Sequence, residues 1–110
     1  MNRTSIALFI ALALPGLCAA ETWNDVALVD NNCMAKVKAD PDTHTKDCAL
    51  KCSKSGYAVV TSDGTVLKLD AKGNEEATSV IKAYAKPDHL RVTVTGTKEG
   101  DTIKVSSLKM

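Results

Sequence analysis

Four side chains of the kinds that bind transition metals lie within one short stretch of the chain. They are Cys33, His44, Cys48 and Cys52. Three thiolates and one imidazole are the donor set of many closed zinc sites, and soft thiolates are equally suited to copper(I). The sequence therefore predicts that these four residues bind zinc or copper.

The spacing of His44, Cys48 and Cys52 limits how they can meet. A continuous helix from His44 to Cys52 would advance about 12 Å at 1.5 Å per residue. Two ligands of one zinc ion, bonded at about 2.0–2.3 Å, have Cβ atoms at most roughly 9–10 Å apart. A site with all four ligands therefore requires the helix to begin after His44, with Thr45 near its N-cap. Without a metal, the polar residues around His44 favour exposure of its ring to solvent.

A disulfide is the alternative fate of these cysteines, since disulfides persist in exported proteins. Cys48 and Cys52 would lie one helical turn apart with nearly parallel Cβ vectors, so Cys33 would pair with either Cys48 or Cys52 and one thiol would be left over. Catalysis is disfavoured, because the C-x3-C spacing differs from the C-x-x-C of redox enzymes and the sequence offers no orienting partner for a Cys–His nucleophile. We therefore expect a binding protein and not an enzyme.

The first twenty residues have the layout of a secretory signal peptide. Arg3 precedes an apolar run over residues 6–14, and small residues lead up to Ala20. We expect cleavage after Ala20, a periplasmic or secreted location, and one domain over residues 21–110. The apolar run is about half the length that a membrane span needs, so no span is expected. Lipid attachment at Cys18 is the weaker alternative.

The charge balance argues against a nucleic-acid partner. Without Arg3, 13 basic residues balance 13 acidic residues, and proteins that bind nucleic acid carry a basic patch instead. Trp23 is the one tryptophan, and it either anchors the core or offers a stacking surface for a partner. The second function that we consider is thus an interaction domain stapled by one disulfide, with a binding face around Trp23 for a protein, a sugar or another envelope component.

Alternating apolar residues and turn signals predict a mainly β domain with two short helices. The strands are predicted at residues 23–29, 57–61, 65–69, 90–95 and 102–106, with a hairpin turn at Asp63-Gly64. Five strands with a helix between the third and the fourth are typical of a small five-stranded OB-like barrel. An open α+β sheet is the alternative.

The first predicted helix begins near residue 40, 43 or 45 and ends at residue 55, because Gly56 is suited to terminate it. Cys48 and Cys52 share one face of this helix with Ala49, so both cysteines are expected to point into the domain. The second predicted helix begins at an Asn74 cap and ends before Pro87.

These motifs resemble those of a family of small exported bacterial OB-like proteins of unassigned function. The resemblance rests on the Asp-x-x-Cys motif of residues 30–33 and on the His-x3-Cys-x3-Cys motif of residues 44–52. The Asp-Gly turn at 63–64 and the V-T-V-T-G-T…G-D-T-I-x-V hairpin of residues 92–105 extend it over nearly all of residues 21–110. The resemblance implies export and an OB-like fold, and it implies no particular activity.

Overall fold

A computed structural model describes residues 20–110. The predicted signal peptide lies outside the described residues except for Ala20. The strands are β1 Glu21–Asp30, β2 Tyr57–Val60, β3 Val66–Leu69, β4 Arg91–Glu99 and β5 Thr102–Lys109. The α-helices are α1 Met34–Val37, α2 Lys46–Lys51 and α3 Ala71–Ala83, and short 3-10 turns span Pro41–Thr43 and Ser53–Ser55.

The five strands close into a barrel in the order β1-β2-β3-β5-β4. All neighbouring strands are antiparallel except β3 and β5, which pair in parallel. The barrel closes where β4 pairs with β1, with Glu21 opposite Gly96 and Ala27 opposite Arg91. The OB-like barrel is therefore confirmed and the open sheet is wrong, since closure leaves no free sheet edge.

Apolar side chains from all five strands fill the barrel, and α3 covers it with Ala77 and Ile81. Trp23 is partly buried against this core, as expected of an anchor. The core residues are Val26, Leu28, Ala49, Tyr57, Val59, Leu67, Leu69, Ala77, Ile81, Leu90, Val92, Val94, Ile103, Val105 and Leu108. Among residues 20–110, no helix has both the length and the apolar character needed to cross a bilayer.

Helix α1 is an element that the sequence analysis did not predict. Its residues Met34 and Val37 pack on Ala27, Val29 and Val60 outside the barrel. The end of β1 is consequently buried on both faces and shows no apolar–polar alternation. A helix of four residues is too short for its periodicity to be recognised.

Helix α3 begins four residues earlier than predicted, with Asp70 and not Asn74 as its N-cap. The side chain of Asp70 caps it by accepting a hydrogen bond from the Gly73 amide at 3.0 Å. Asn74, the predicted cap, lies inside the helix and its Oδ1 accepts a hydrogen bond from the Tyr57 amide at 2.8 Å. The N-terminal turn of α3 is therefore tied to the start of β2.

The single helix predicted up to residue 55 is divided into a 3-10 turn, α2 and a second 3-10 turn. Of the three predicted starting points, the last is confirmed: α2 begins after Thr45, whose hydroxyl accepts a hydrogen bond from the Cys48 amide at 3.2 Å. Gly56 follows the second 3-10 turn with φ +79°, a conformation that glycine adopts at no steric cost. His44 consequently lies in a loop before α2.

An ion pair fastens the first 3-10 turn to β4. The Arg91 guanidinium donates to the two carboxylate oxygens of Asp42 at 2.9 and 2.8 Å and to the Asp25 carbonyl at 2.9 Å. The hydrogen bonds from Arg91 hold the pKa of Asp42 below its usual value of 3.8, outweighing partial burial. Asp42 lies two residues before His44, so this pair also fixes where the His44 loop leaves the barrel.

The Asp42→Asn variant should be less stable than the wild type by about 0.5–1 kcal/mol at neutral pH, the upper range for partly exposed ion pairs. Since the pKa of Asp42 is lower in the folded state, its stabilisation is present above the unfolded pKa and is lost as pH falls through the folded pKa. Urea unfolding at neutral pH and in acid measures the difference. Asp40→Asn is the control, because Asp40 is exposed and its side chain caps no helix. An equal loss for Asp42→Asn at both pH values would contradict the assignment.

Candidate metal centre

The centre is built on Asp30, the last residue of β1. Its side chain is fully buried, and its Oδ2 accepts a hydrogen bond from the Cys33 amide at 3.0 Å. Asp30 also lies opposite Tyr57, the first residue of β2. The carboxylate therefore closes the turn after β1 and is held at one end of the barrel.

His44 is the neighbour of this carboxylate. Its Nε2 lies 2.6 Å from Asp30 Oδ1, and only 3% of the residue is exposed. The two atoms are at ion-pair distance, but they are not aligned for a hydrogen bond. Neither atom has a hydrogen-bond partner among the described residues. The expected exposure of His44 is wrong. The His44 amide closes the 3-10 turn by donating to the Pro41 carbonyl at 3.1 Å, and the His44 ring packs inward.

Two thiols complete a group of three potential ligands. One oxygen of Asp30 and the sulfurs of Cys33 and Cys52 all lie within 4.8 Å of one another. Both cysteines are half-buried. Burial raises the pKa of the Cys33 thiol, and the nearby Asp30 and Cys52 raise it further. In the absence of a cation, Cys33 is therefore a poor source of thiolate at neutral pH.

Two asparagines bring Cys52 to Cys33. The Asn31 side-chain amide donates to the Ser55 carbonyl at 2.9 Å, and the Asn32 backbone amide donates to the Ser55 hydroxyl at 3.2 Å. The Asn32 side chain also contacts the sulfur of Cys52 at 3.5 Å. The turn after β1 is thus bound to the 3-10 turn after α2, which places the two sulfurs side by side.

Tyr57 attaches α2 to the barrel. It is fully buried, and its hydroxyl donates to the Ala49 carbonyl at 2.8 Å. Burial raises the pKa of Tyr57, so the hydroxyl keeps its proton and remains a donor across the physiological range. Helix α2, which has Cys52 as its C-cap, is therefore attached to the same strand end that faces Asp30.

The structure brings together only part of the predicted ligand set. Cys33 and Cys52 converge, His44 contacts Asp30, and Cys48 is exposed and lies outside the group. The expectation that both helical cysteines point inward is wrong for Cys48, which is exposed, whereas the adjacent Ala49 is the residue of α2 that is buried. The disulfides considered for Cys33 are not formed, and Cys33, Cys48 and Cys52 are free thiols.

Asp30 is a potential ligand that the sequence motifs did not single out. The Asp-x-x-Cys spacing carried a usable signal, because aspartate side chains commonly accept hydrogen bonds from amides a few residues further along a turn. That local bond turns the carboxylate back toward Cys33. The burial of Asp30 depends on the His44 loop, which no local pattern indicates.

A separate groove lies beside Trp23. Its lining includes Glu21, Asp63 and Lys98, and none of the residues of the candidate metal centre. Trp23 contributes one edge of this groove while it packs against the core. The groove is the place where the alternative interaction function would have to be located.

Comparisons of the chain with protein-family models, with curated proteins and with solved structures found no match. The assignment of function therefore rests on the geometry of the centre itself.

Removing the His44 imidazole should strongly destabilise the metal-free protein. His44→Ala removes the ion-pair partner of the buried Asp30 Oδ1, and loss of one member of a buried pair typically costs about 3–5 kcal/mol. His89→Ala is the control, because the His89 side chain is 62% exposed and its removal should cost much less stability than removal of a buried side chain. Urea unfolding measures both. Equal small losses for the two variants would contradict a structural role for the Asp30–His44 contact.

Proposed function

We propose that the protein is an exported binding module that holds one zinc or copper ion between Asp30, Cys33 and Cys52. The observation that carries this proposal is the convergence of two thiols and a buried carboxylate within 4.8 Å. Zinc binds sulfur at about 2.3 Å and carboxylate oxygen at about 2.0–2.2 Å. Small closing movements of the two half-buried cysteine side chains would bring all three ligand atoms to these distances.

The electrostatics of the group also favour a cation. Deprotonation of Cys33 is opposed by its burial, by Asp30 and by Cys52. A metal ion bound among the three groups reverses this opposition, because it attracts the same negative charges that otherwise repel one another. Metal binding should therefore release protons, and metal affinity should fall as pH falls.

The same features argue for binding and against catalysis. A cysteine nucleophile needs a lowered pKa, whereas the pKa of Cys33 is raised. The barrel core is packed by apolar contacts that do not involve the centre, so the metal-free protein should fold without a metal staple. Both cysteines are half-buried and not enclosed, which suits an ion that is taken up and released.

His44 acts in this proposal through Asp30. Carboxylates that bind metals are commonly held by a neighbouring hydrogen-bonding group, which orients them and tunes their basicity. The Nε2 atom of His44, 2.6 Å from Asp30 Oδ1, occupies that position. Cys48 has no part in the centre, since it is exposed on α2.

Export is the part of the proposal that the sequence supports through the apolar run of residues 6–14. An oxidising compartment allows disulfides to form, and a disulfide between Cys33 and Cys52 would remove both thiolates. A bound metal ion would protect the two sulfurs from that reaction.

Reduced wild-type protein should bind one zinc or copper(I) ion per chain in native mass spectra after equilibrium dialysis. Cys33→Ser and Cys52→Ser should each weaken binding more than about 100-fold, beyond the loss typical of residues that only support a ligand. Cys48→Ser is the matched control and should bind as the wild type does. Thermal unfolding gives a second readout, since free metal at 100 times the Kd adds about 2.7 kcal/mol of stability.

Two results would contradict the proposal. One is the absence of stoichiometric binding by the reduced wild type, and the other is unchanged binding after either Cys33→Ser or Cys52→Ser. Alkylation of purified protein without reductant gives the remaining control. If only Cys48 can be alkylated and no metal is bound, Cys33 and Cys52 form a structural disulfide.

A further inference from the structure

The three potential ligands of the centre differ in chemistry and in freedom to move. Cys33 and Cys52 present soft sulfurs and are half-buried. Asp30 presents a hard oxygen and is fully buried. Its Oδ2 is held by the Cys33 amide at 3.0 Å and its Oδ1 contacts His44 at 2.6 Å. The carboxylate is therefore the ligand that can move least.

We infer that Asp30 sets the metal preference of the site, making it selective for zinc over copper(I). This inference rests on the metal-binding function proposed above. It assigns the choice between the two ions to one residue, whereas the two cysteines supply affinity for both.

Ligand type is the first argument. Thiolates bind copper(I) and zinc alike, whereas carboxylate oxygen is a hard ligand that matches borderline Zn²⁺ better than soft copper(I). A site that was selective for copper(I) would gain nothing from a carboxylate beside its two sulfurs. The place of Asp30 within 4.8 Å of both sulfurs thus favours the ion that can use all three ligands.

Charge is the second argument. With both thiols deprotonated, as metal ligation requires, two thiolates and one carboxylate carry three negative charges, of which a protonated His44 beside Asp30 would offset one. A divalent ion leaves a smaller excess negative charge than a monovalent ion does. Asp30 is completely buried, so solvent cannot screen the excess well, and uncompensated buried charge is strongly unfavourable.

Rigidity is the third argument. The hydrogen bond from the Cys33 amide ties Asp30 to the backbone of one of the two sulfur ligands. The carboxylate can therefore move away from an ion bound to Cys33 only if this hydrogen bond, and with it the turn, is broken. The carboxylate acts as a ligand when zinc is bound. When copper(I) is bound by the two sulfurs, the carboxylate is not a ligand and only repels the two thiolates.

The test compares zinc and copper(I) affinities of the reduced full domain by anaerobic competition with chromophoric chelators. The variant is Asp30→Asn, which keeps the shape of the side chain and an oxygen acceptor for the Cys33 amide. Zinc affinity should fall at least about 10-fold, while copper(I) affinity should stay within about 3-fold of the wild type or rise. Asp40→Asn, an exposed carboxylate that caps no helix by its side chain, is the control and should alter neither affinity.

An Asp30→Asn variant that leaves zinc affinity unchanged, or that lowers both affinities equally, would overturn the inference. Neither result affects the metal-binding function, which fails only if the wild type binds neither ion or binds without Cys33 and Cys52. Circular dichroism shows whether the variant is folded. If it is not, infrared difference spectra of the wild type decide. Zinc should shift a carboxylate stretching band and copper(I) should not, and no shift with zinc would overturn the inference.

Discussion

The buried carboxylate of Asp30 is the constraint on which this end of the molecule depends. Among the described residues, Asp30 and His44 are the polar side chains that are buried. A buried charge without partners destabilises a fold by far more than any single contact contributes. The turn after β1, the start of α2 and the 3-10 turn before it are all arranged so that Asp30 has the Cys33 amide on one side and the His44 ring on the other.

The barrel explains why cysteines that are distant in sequence become neighbours. β1 and β2 are adjacent and antiparallel, so the chain that leaves β1 after Asp30 must return to the same end of the barrel before Tyr57. The connection begins beside Cys33 and ends just after Cys52, and Asn31 and Asn32 bind its two ends together. The proposed metal site is therefore a product of the strand order, and the loop between the strands supplies its ligands.

Much of this architecture could be predicted from the sequence, because it follows from local patterns. Alternating apolar residues indicated the strands, the Asp63-Gly64 turn indicated the hairpin, and the helix between the third and the fourth strand favoured a closed OB-like barrel. Helix α1 was missed because four residues carry no periodicity. The start of α3 was misplaced because Asp70 and Asn74 are both residues that commonly cap helices. Asn74 is used instead to accept a hydrogen bond from the Tyr57 amide, a tertiary contact that the local sequence does not indicate.

The site was harder to predict than the fold, for a physical reason. Ligand types and spacing indicated Cys33 and Cys52, and a length argument placed His44 before the helix on the condition that all four predicted ligands bound one ion. Whether a side chain is buried depends on contacts between segments that are distant in sequence. Such contacts leave Cys48 exposed to solvent and bring the His44 ring against Asp30. Asp30 itself looked like an ordinary strand end, because the segment that buries it follows more than ten residues later in the sequence.

The most direct test of the central claim is the anomalous scattering of zinc in crystals of the reduced, zinc-loaded protein, measured on both sides of the zinc absorption edge. We expect one strong peak per chain, about 2.3 Å from the sulfurs of Cys33 and Cys52 and about 2.0–2.2 Å from an oxygen of Asp30. A peak at Cys48, a peak bound by sulfur alone, or a Cys33–Cys52 disulfide with no peak would contradict it.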